Sequence, residues 1–139
     1  MFLNSQGPMV GVAFSPLDIC RTLIPSPSPV PVILPIPYPN LAMRPVAIPT
    51  VSNVFTMMMP NHNLATIHPI STGDEPGLLG GLVSSVVMGP CRNYTSSTKV
   101  IQGASPVTRM LDVTAHNGMV PNAVGTSLSP SQIIVMVLS

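Results

Sequence analysis

The sequence predicts a mostly β fold: a small body of short strands and hairpins joined by loops rich in proline and glycine, with little helix. Three observations carry this. No stretch places apolar residues at a 3.6-residue period between helix caps. Val, Ile, Thr and Phe are frequent over residues 45–70, in runs that Pro45, Pro49, Pro60 and Pro69 cut short. The 139 residues include 18 Pro and 10 Gly, which break regular structure and favour turns.

The charge count constrains the surface. Five Lys or Arg and four Asp or Glu make 6% of the chain, and 45% is hydrophobic; a soluble domain carries roughly 25% charged residues. Disordered chains are polar and charged, so disorder fits poorly. A free monomer would lack the charges that keep a surface soluble. Much of this surface is therefore expected to be covered by other chains. The length allows one domain, residues 1–139. The net charge of +1 gives no footprint for nucleic acid. The apolar runs are cut by Pro or Gly, and none supplies the ~20 helix-compatible residues of a membrane span. The N-terminus has no basic region of a signal peptide, and two cysteines 71 positions apart make no disulfide framework.

Along the chain, residues 1–24 are mixed, with a short apolar run from Val10 to Phe14 and a first charged point at Asp18-Ile19-Cys20-Arg21. Pro25, Pro27, Pro29, Pro31, Pro35, Pro37 and Pro39 make the next segment extended and exclude it from the middle of a sheet. Its interleaved Val30, Val32, Ile33, Leu34, Ile36 and Tyr38 predict that it packs down onto the body. Met57-Met58-Met59 reads as apolar filler of a core. The stretch Ser71-Thr72-Gly73-Asp74-Glu75-Pro76-Gly77 is a sharp polar turn around which the chain is organised, with Asp74 as a turn anchor. Gly80-Gly81 marks close backbone packing, since no Lys follows to make a phosphate loop. A hairpin is expected over residues 94–114, turning at Gln102-Gly103-Ala104, with Arg109 a charge partner for Asp112. Gln132 to Leu138 reads as a final strand.

A weak repeat runs at an offset of 46: Val54-Phe55 matches Val100-Ile101, Pro60 matches Pro106, Leu64 matches Met110 and Ile67 matches Val113. Two similar β units would then build a pseudo-symmetric body.

Catalytic machinery is not legible. Adjacent Asp74 and Glu75 point to opposite faces of an extended chain, which suits no paired-carboxylate mechanism. No Gly-x-Ser-x-Gly elbow is present. The chain reads as a non-enzyme.

Taken in order, several pieces resemble the PAAR-like family of spike tips in type VI secretion and related contractile injection systems. They are Asp18-Ile19-Cys20, Pro35-Ile36-Pro37-Tyr38-Pro39-Asn40-Leu41-Ala42-Met43, Pro60-Asn61-His62-Asn63-Leu64-Ala65-Thr66, Ser71 to Gly77, Val87-Met88-Gly89-Pro90-Cys91-Arg92, Pro106-Val107-Thr108-Arg109-Met110 and Leu128-Ser129-Pro130-Ser131-Gln132. The resemblance implies a small conical β body whose base caps a homotrimeric VgrG-type spike, one copy per trimer, while the apex leads the puncture of a target membrane. It implies a bacterial protein, held in the cytoplasm in the loaded apparatus and delivered on firing. An effector or adaptor would be a separate partner, since no fused toxin domain is expected. The alternatives are an effector-loading adaptor outside the spike and a small membrane-associated protein.

The resemblance also implies a zinc site near the apex, made from His and Cys. The candidate ligands are His62, His68, His116 and Cys20, with Cys91 as a further thiol. His62 and His68 would be roughly 20 Å apart on one extended strand, so the chain must turn between them to share an ion. Against the metal reading, His62 and His116 read as hydrogen-bonded loop residues, and the cysteines as small buried hydrophobes.

Overall fold

The computed structural model describes residues 1–139. Ten strands run in order: β1 (Val12–Ile24), β2 (Val32–Met43), β3 (Val51–Thr56), β4 (Met59–Asn61), β5 (Ile67–His68), β6 (Cys91–Asn93), β7 (Ile101–Gln102), β8 (Ser105–Pro106), β9 (Val113–His116) and β10 (Ala123–Ser127). One 3-10 turn, Arg44–Val46, is the only helical element, so the strand-rich, helix-poor expectation holds. No helix is long and apolar enough to cross a membrane. The main sheet has the order β2-β1-β10-β9-β6-β5, and β3-β4 and β7-β8 form two separate two-stranded sheets.

The proline pattern explains why β2 lies at the sheet edge. It pairs with β1 from Val12↔Met43 to Ile24↔Val32, with a bulge between Ser15 and Asp18. Leu41 donates its amide away from β1, to the Thr72 carbonyl at 2.8 Å. By strand alternation Pro35, Pro37 and Pro39 turn their donor-less nitrogens to that same outer side, where no ladder needs them. The expected packing of this segment onto the body forms only at Ile36 and Tyr38, which are half-buried. Val30, Val32, Ile33 and Leu34 are all exposed, and consecutive strand residues face opposite sides. The far end of the β1–β2 hairpin is therefore a free-standing apolar ribbon. The Met57–Met59 stretch also lies on the surface, with Met58 92% exposed; the tight turn it forms pushes its side chains outward. The chain from Gln132 to Leu138 makes only an isolated pairing, Phe2↔Met136, with no extended strand.

The interior is polar and the surface apolar. The buried aliphatic clusters are small: Leu3, Val107 and Val137 in one, Ala13, Ala42 and Cys91 in the other. Around them Asn4, Ser15, Asp18, Asn40, Arg44, His62, His68, Asp74, Thr108 and His116 are all fully buried. Burial of polar groups requires hydrogen bonding to offset lost hydration, so this body depends on its hydrogen-bond network more than on an oily core.

Candidate functional site

The first functional feature is a ring of backbone. Three short segments, residues 3–5, 61–63 and 107–109, pair pairwise and close on themselves: Ser5↔Asn61, Asn63↔Val107 and Leu3↔Arg109, all antiparallel. At the centre His62 N donates to Asn4 O at 3.0 Å, Asn4 N to Thr108 O at 3.0 Å, and Thr108 N to His62 O at 3.5 Å. A second cycle surrounds it: Leu64 N to Pro106 O at 2.8 Å, Met110 N to Phe2 O at 2.8 Å, and Gln6 N to Pro60 O at 3.0 Å. Equivalent positions bond equivalent positions around each cycle, so the chain carries a pseudo-threefold axis through Asn4, His62 and Thr108.

Each segment enters the ring from a two-stranded ribbon. In β3–β4 the pairs are Phe55↔Pro60 and Thr56↔Met59. In β7–β8 they are Ile101↔Pro106 and Gln102↔Ser105. The register is identical at the offset of 46 seen in the sequence. Both turns have two residues with positive φ, Met57 (52°) and Met58 (64°) in one, Gly103 (63°) and Ala104 (62°) in the other, the type I′ geometry that matches strand twist. Both copies also close their next turn alike. Asn63 N donates to Thr66 Oγ1 at 3.1 Å, and Arg109 N to Asp112 Oδ2 at 2.6 Å. The third ribbon is made by the two ends of the chain: Val137 N donates to Met1 O at 2.8 Å and Leu3 N to Val135 O at 3.1 Å. The three ribbons expose Phe55, Met58, Ile101, Met136 and Leu138 to solvent.

The second feature is a buried cluster beside the ring. Gly11 leaves room for Arg44: a Cβ there would stand 2.8 Å from Arg44 Cγ. Arg44 is fully buried and donates from Nη2 to Ser127 Oγ, whose hydroxyl lies 3.4 Å from Asn4 Oδ1. His62 and His68 meet edge to face, with ring centroids 6.1 Å apart and planes at 85°. The chain does turn between them, at Asn63–Thr66, where Thr66 N donates to Asn63 O. His68 Nδ1 lies 3.2 Å from the Cys91 carbonyl, which only accepts, so Nδ1 carries the proton and Nε2 holds a lone pair. Neither ring nitrogen of His62 has a protein partner, nor has His68 Nε2, nor Arg44 Nε and Nη1. Burial, then the Arg44 charge, pushes His62 down to about 2 and His68 down to about 3. Burial pushes Arg44 down to about 10, which leaves it charged at neutral pH.

The third feature is a buried acidic trio. Asp18 and Cys20 lie two apart on β1 and so share a face. The polar turn brings Asp74 to them. Cys20 Sγ is 3.7 Å from Asp18 Oδ1 and 3.9 Å from Asp74 Oδ2, and the ligand atoms of all three lie within 4.8 Å of one another. Asn40 Nδ2 donates to Asp18 Oδ2 at 2.6 Å, Asn122 Nδ2 to Asp18 Oδ1, and Met88 N to Asp74 Oδ2 at 3.1 Å. Burial first, then the two aspartates, push the Cys20 thiol up to about 12. Burial also raises Asp74, against the Met88 amide that favours its charged form. Gly73 has φ 121°, and a side chain there would collide with the Pro39 carbonyl; one at Gly77 would collide with Cys20. The turn's glycines therefore let it close over the trio.

The four residues read as zinc ligands divide among these places. His62 and His68 are together. Cys20 is in the acidic trio. His116 ends β9, where its Nδ1 donates to Asn40 Oδ1 at 3.3 Å and its Nε2 accepts from Thr114 Oγ1 at 3.0 Å, so both nitrogens are already engaged. Through Asn40 it is linked to Asp18. The only close donor group is Asp18, Cys20 and Asp74, and it shares Cys20 with the expected set. The sequence assigns Asp74 the role of a turn anchor and gives Asp18 no role; the i, i+2 spacing of Asp18 and Cys20 is the available signal. The structural readings of Asp74 as a turn anchor and Arg109 as the partner of Asp112, at 3.1 Å, hold.

A family model for the toxin PAAR-like domain matches residues 11–124. No curated protein and no solved structure matches the chain. The third ribbon, built from the two chain ends, lies outside the matched residues.

Proposed function

The chain belongs to the toxin PAAR-like domain family, which makes it a spike-associated or toxin-related protein of a type VI-like contractile system, and we propose that it is the tip itself, capping a homotrimeric VgrG-type spike with one copy per trimer. The closed ring of segments 3–5, 61–63 and 107–109 carries this reading. A single chain presents three equivalent surfaces to a threefold partner only if it is itself pseudo-threefold, and heterologous docking then closes without overhang. The three ribbons around the axis form the base, with Phe55, Met58, Ile101, Met136 and Leu138 as its apolar contacts. A covered base accounts for an apolar exterior on a polar interior. The role is mechanical and non-enzymatic: a rigid body that takes thrust from the spike and enters a target membrane, with any effector or adaptor bound as a separate chain. The protein waits in the bacterial cytoplasm and leaves on firing.

Charges placed at equivalent ribbon positions test the base. Phe55→Asp and Ile101→Asp each weaken binding to the trimeric spike at least tenfold while leaving the melting temperature near wild type, because both side chains are exposed. Wild-type affinity in both variants would place the base elsewhere.

The Asp18–Cys20–Asp74 trio is a group that could hold a metal ion, and zinc is the ion we propose for it, because zinc accepts a thiolate together with carboxylates. A divalent ion would also balance two buried carboxyl groups. Untagged protein should carry about one zinc per chain, falling at least tenfold in Cys20→Ser. A content far below one per chain in the wild type would end the zinc reading.

A further inference from the structure

A buried guanidinium without a counter-charge lies beside the ring. The single ion pair of the chain is Arg109–Asp112, so no carboxylate contacts Arg44. Of the two acidic groups whose fields reach it, the Cys91 thiol is pushed up to about 12 by burial and stays neutral, and Asp112 already spends both oxygens on Arg109 and Thr95. Arg44 is completely buried, and two of its three guanidinium nitrogens have no protein partner. An uncompensated buried charge is among the most costly features a fold can carry.

Unpartnered groups also come from the other side of the cluster. His62 is completely buried with both ring nitrogens free, and His68 keeps a free Nε2 lone pair. The contacts tie these groups into one neighbourhood. Arg44 bonds Ser127, Ser127 reaches Asn4, Asn4 accepts the His62 amide, and His62 packs against His68. A neutral imidazole offers one N–H and one lone pair, so the neighbourhood presents donors from Arg44 and His62 and two acceptors, one on His62 and one at His68 Nε2.

We infer that Arg44 and His62 hold a small inorganic anion of chloride size, accompanied by a water that donates to His68 Nε2. Charge selects the ligand class. Two free imidazole lone pairs alone would suit a metal cation, but the Arg44 guanidinium repels a cation and attracts an anion. The water meets the need the anion leaves at His68, since only a donor satisfies that lone pair. The site is distinct from the Asp18–Cys20–Asp74 trio, whose charge is of the opposite sign. Its role is to lock the ring from within, by neutralising the one cation buried beside the pseudo-threefold axis.

The probe is sodium chloride or bromide, against sodium gluconate at equal ionic strength; gluconate is too large to enter. Wild-type protein should melt about 4 °C or more higher in chloride, saturably. Crystals grown in bromide should show an anomalous peak within hydrogen-bonding reach of Arg44. Arg44→Met should lose the chloride response and the peak. If that variant does not fold, His62→Phe should weaken the response at least threefold. Equal melting in both salts with no bromide peak overturns the proposal, as does a full chloride response in Arg44→Met. Neither result bears on spike binding, which is measured separately.

Discussion

Two regions of this molecule solve the same problem in different ways. The ring of segments 3–5, 61–63 and 107–109 is built from backbone, and its hydrogen bonds repeat around an axis whatever side chains occupy the positions. Its central residues are as unlike as Asn4, His62 and Thr108. The sheet region, where β1 meets the 71–89 turn, is built from side chains: Asp18 with Asn40 and Asn122, Asp74 with Met88, and Ser71 with Gly89. There each bond depends on one residue type. Backbone cycles tolerate sequence change and preserve symmetry, whereas side-chain networks hold a single conformation and fail when one member is replaced. The first suits a surface that must match a threefold partner. The second suits a part that must be stiff.

The largest effect should come from breaking the ring's apolar support. Val107 is fully buried with Leu3 and Val137, so Val107→Asp should cost about 3–5 kcal/mol, enough to unfold a domain of this size. Leu34→Asp on the exposed β1–β2 ribbon should change stability by less than about 1 kcal/mol. Urea denaturation of the pair measures both. Equal losses would mean that the free ribbon supports the fold as much as the ring does.

A smaller effect divides the regions by pH. His62, His68 and His116 are held below their ordinary value of 6.5, at about 2, 3 and 4, chiefly by burial. A depressed base is neutral in the fold, so its contribution is complete above pH 6.5 and is lost as pH falls towards the folded values. Asp74 has the opposite sign: its raised value favours the fold at low pH, and that contribution fades as pH rises. The histidines outnumber it, so wild-type stability should drop between pH 6.5 and 4, by about 1–3 kcal/mol per buried histidine. His62→Gln should flatten that slope. A slope unchanged in this variant would remove His62 from the account of acid sensitivity.

The smallest effect separates stability from docking. Met57 and Met58 both have positive φ, a conformation that Asn-Gly adopts with less strain. The double change M57N/M58G should raise stability by about 0.5–1 kcal/mol. The same change removes an exposed apolar contact from the proposed base, so spike binding should weaken while the melting temperature rises. A gain in both would take Met58 out of the interface.

Part of this design is legible in the chain. The offset-46 repeat marks two of the three ribbons because hairpins with two-residue turns keep their register. The third unit leaves no trace as a repeat, since its strands come from opposite ends of the chain and no turn joins them. The edge position of β2 follows from its prolines, whereas the exposure of Val32 to Leu34 does not, because apolar composition cannot tell a core face from a bare one. Hydrophobicity alone predicts burial of Met57–Met59, and the turn geometry reverses it. The acidic trio was half visible: Asp18 and Cys20 share a strand face, but only the folded turn brings Asp74 across.

In the proposed assembly, pseudo-threefold symmetry within one chain matches true threefold symmetry in its partner. This match is tested by the native mass of this protein mixed with a trimeric VgrG-type spike protein. One stable species should form, containing one copy of this chain and three of the spike. Three copies per trimer, or no complex from two folded proteins, would contradict it.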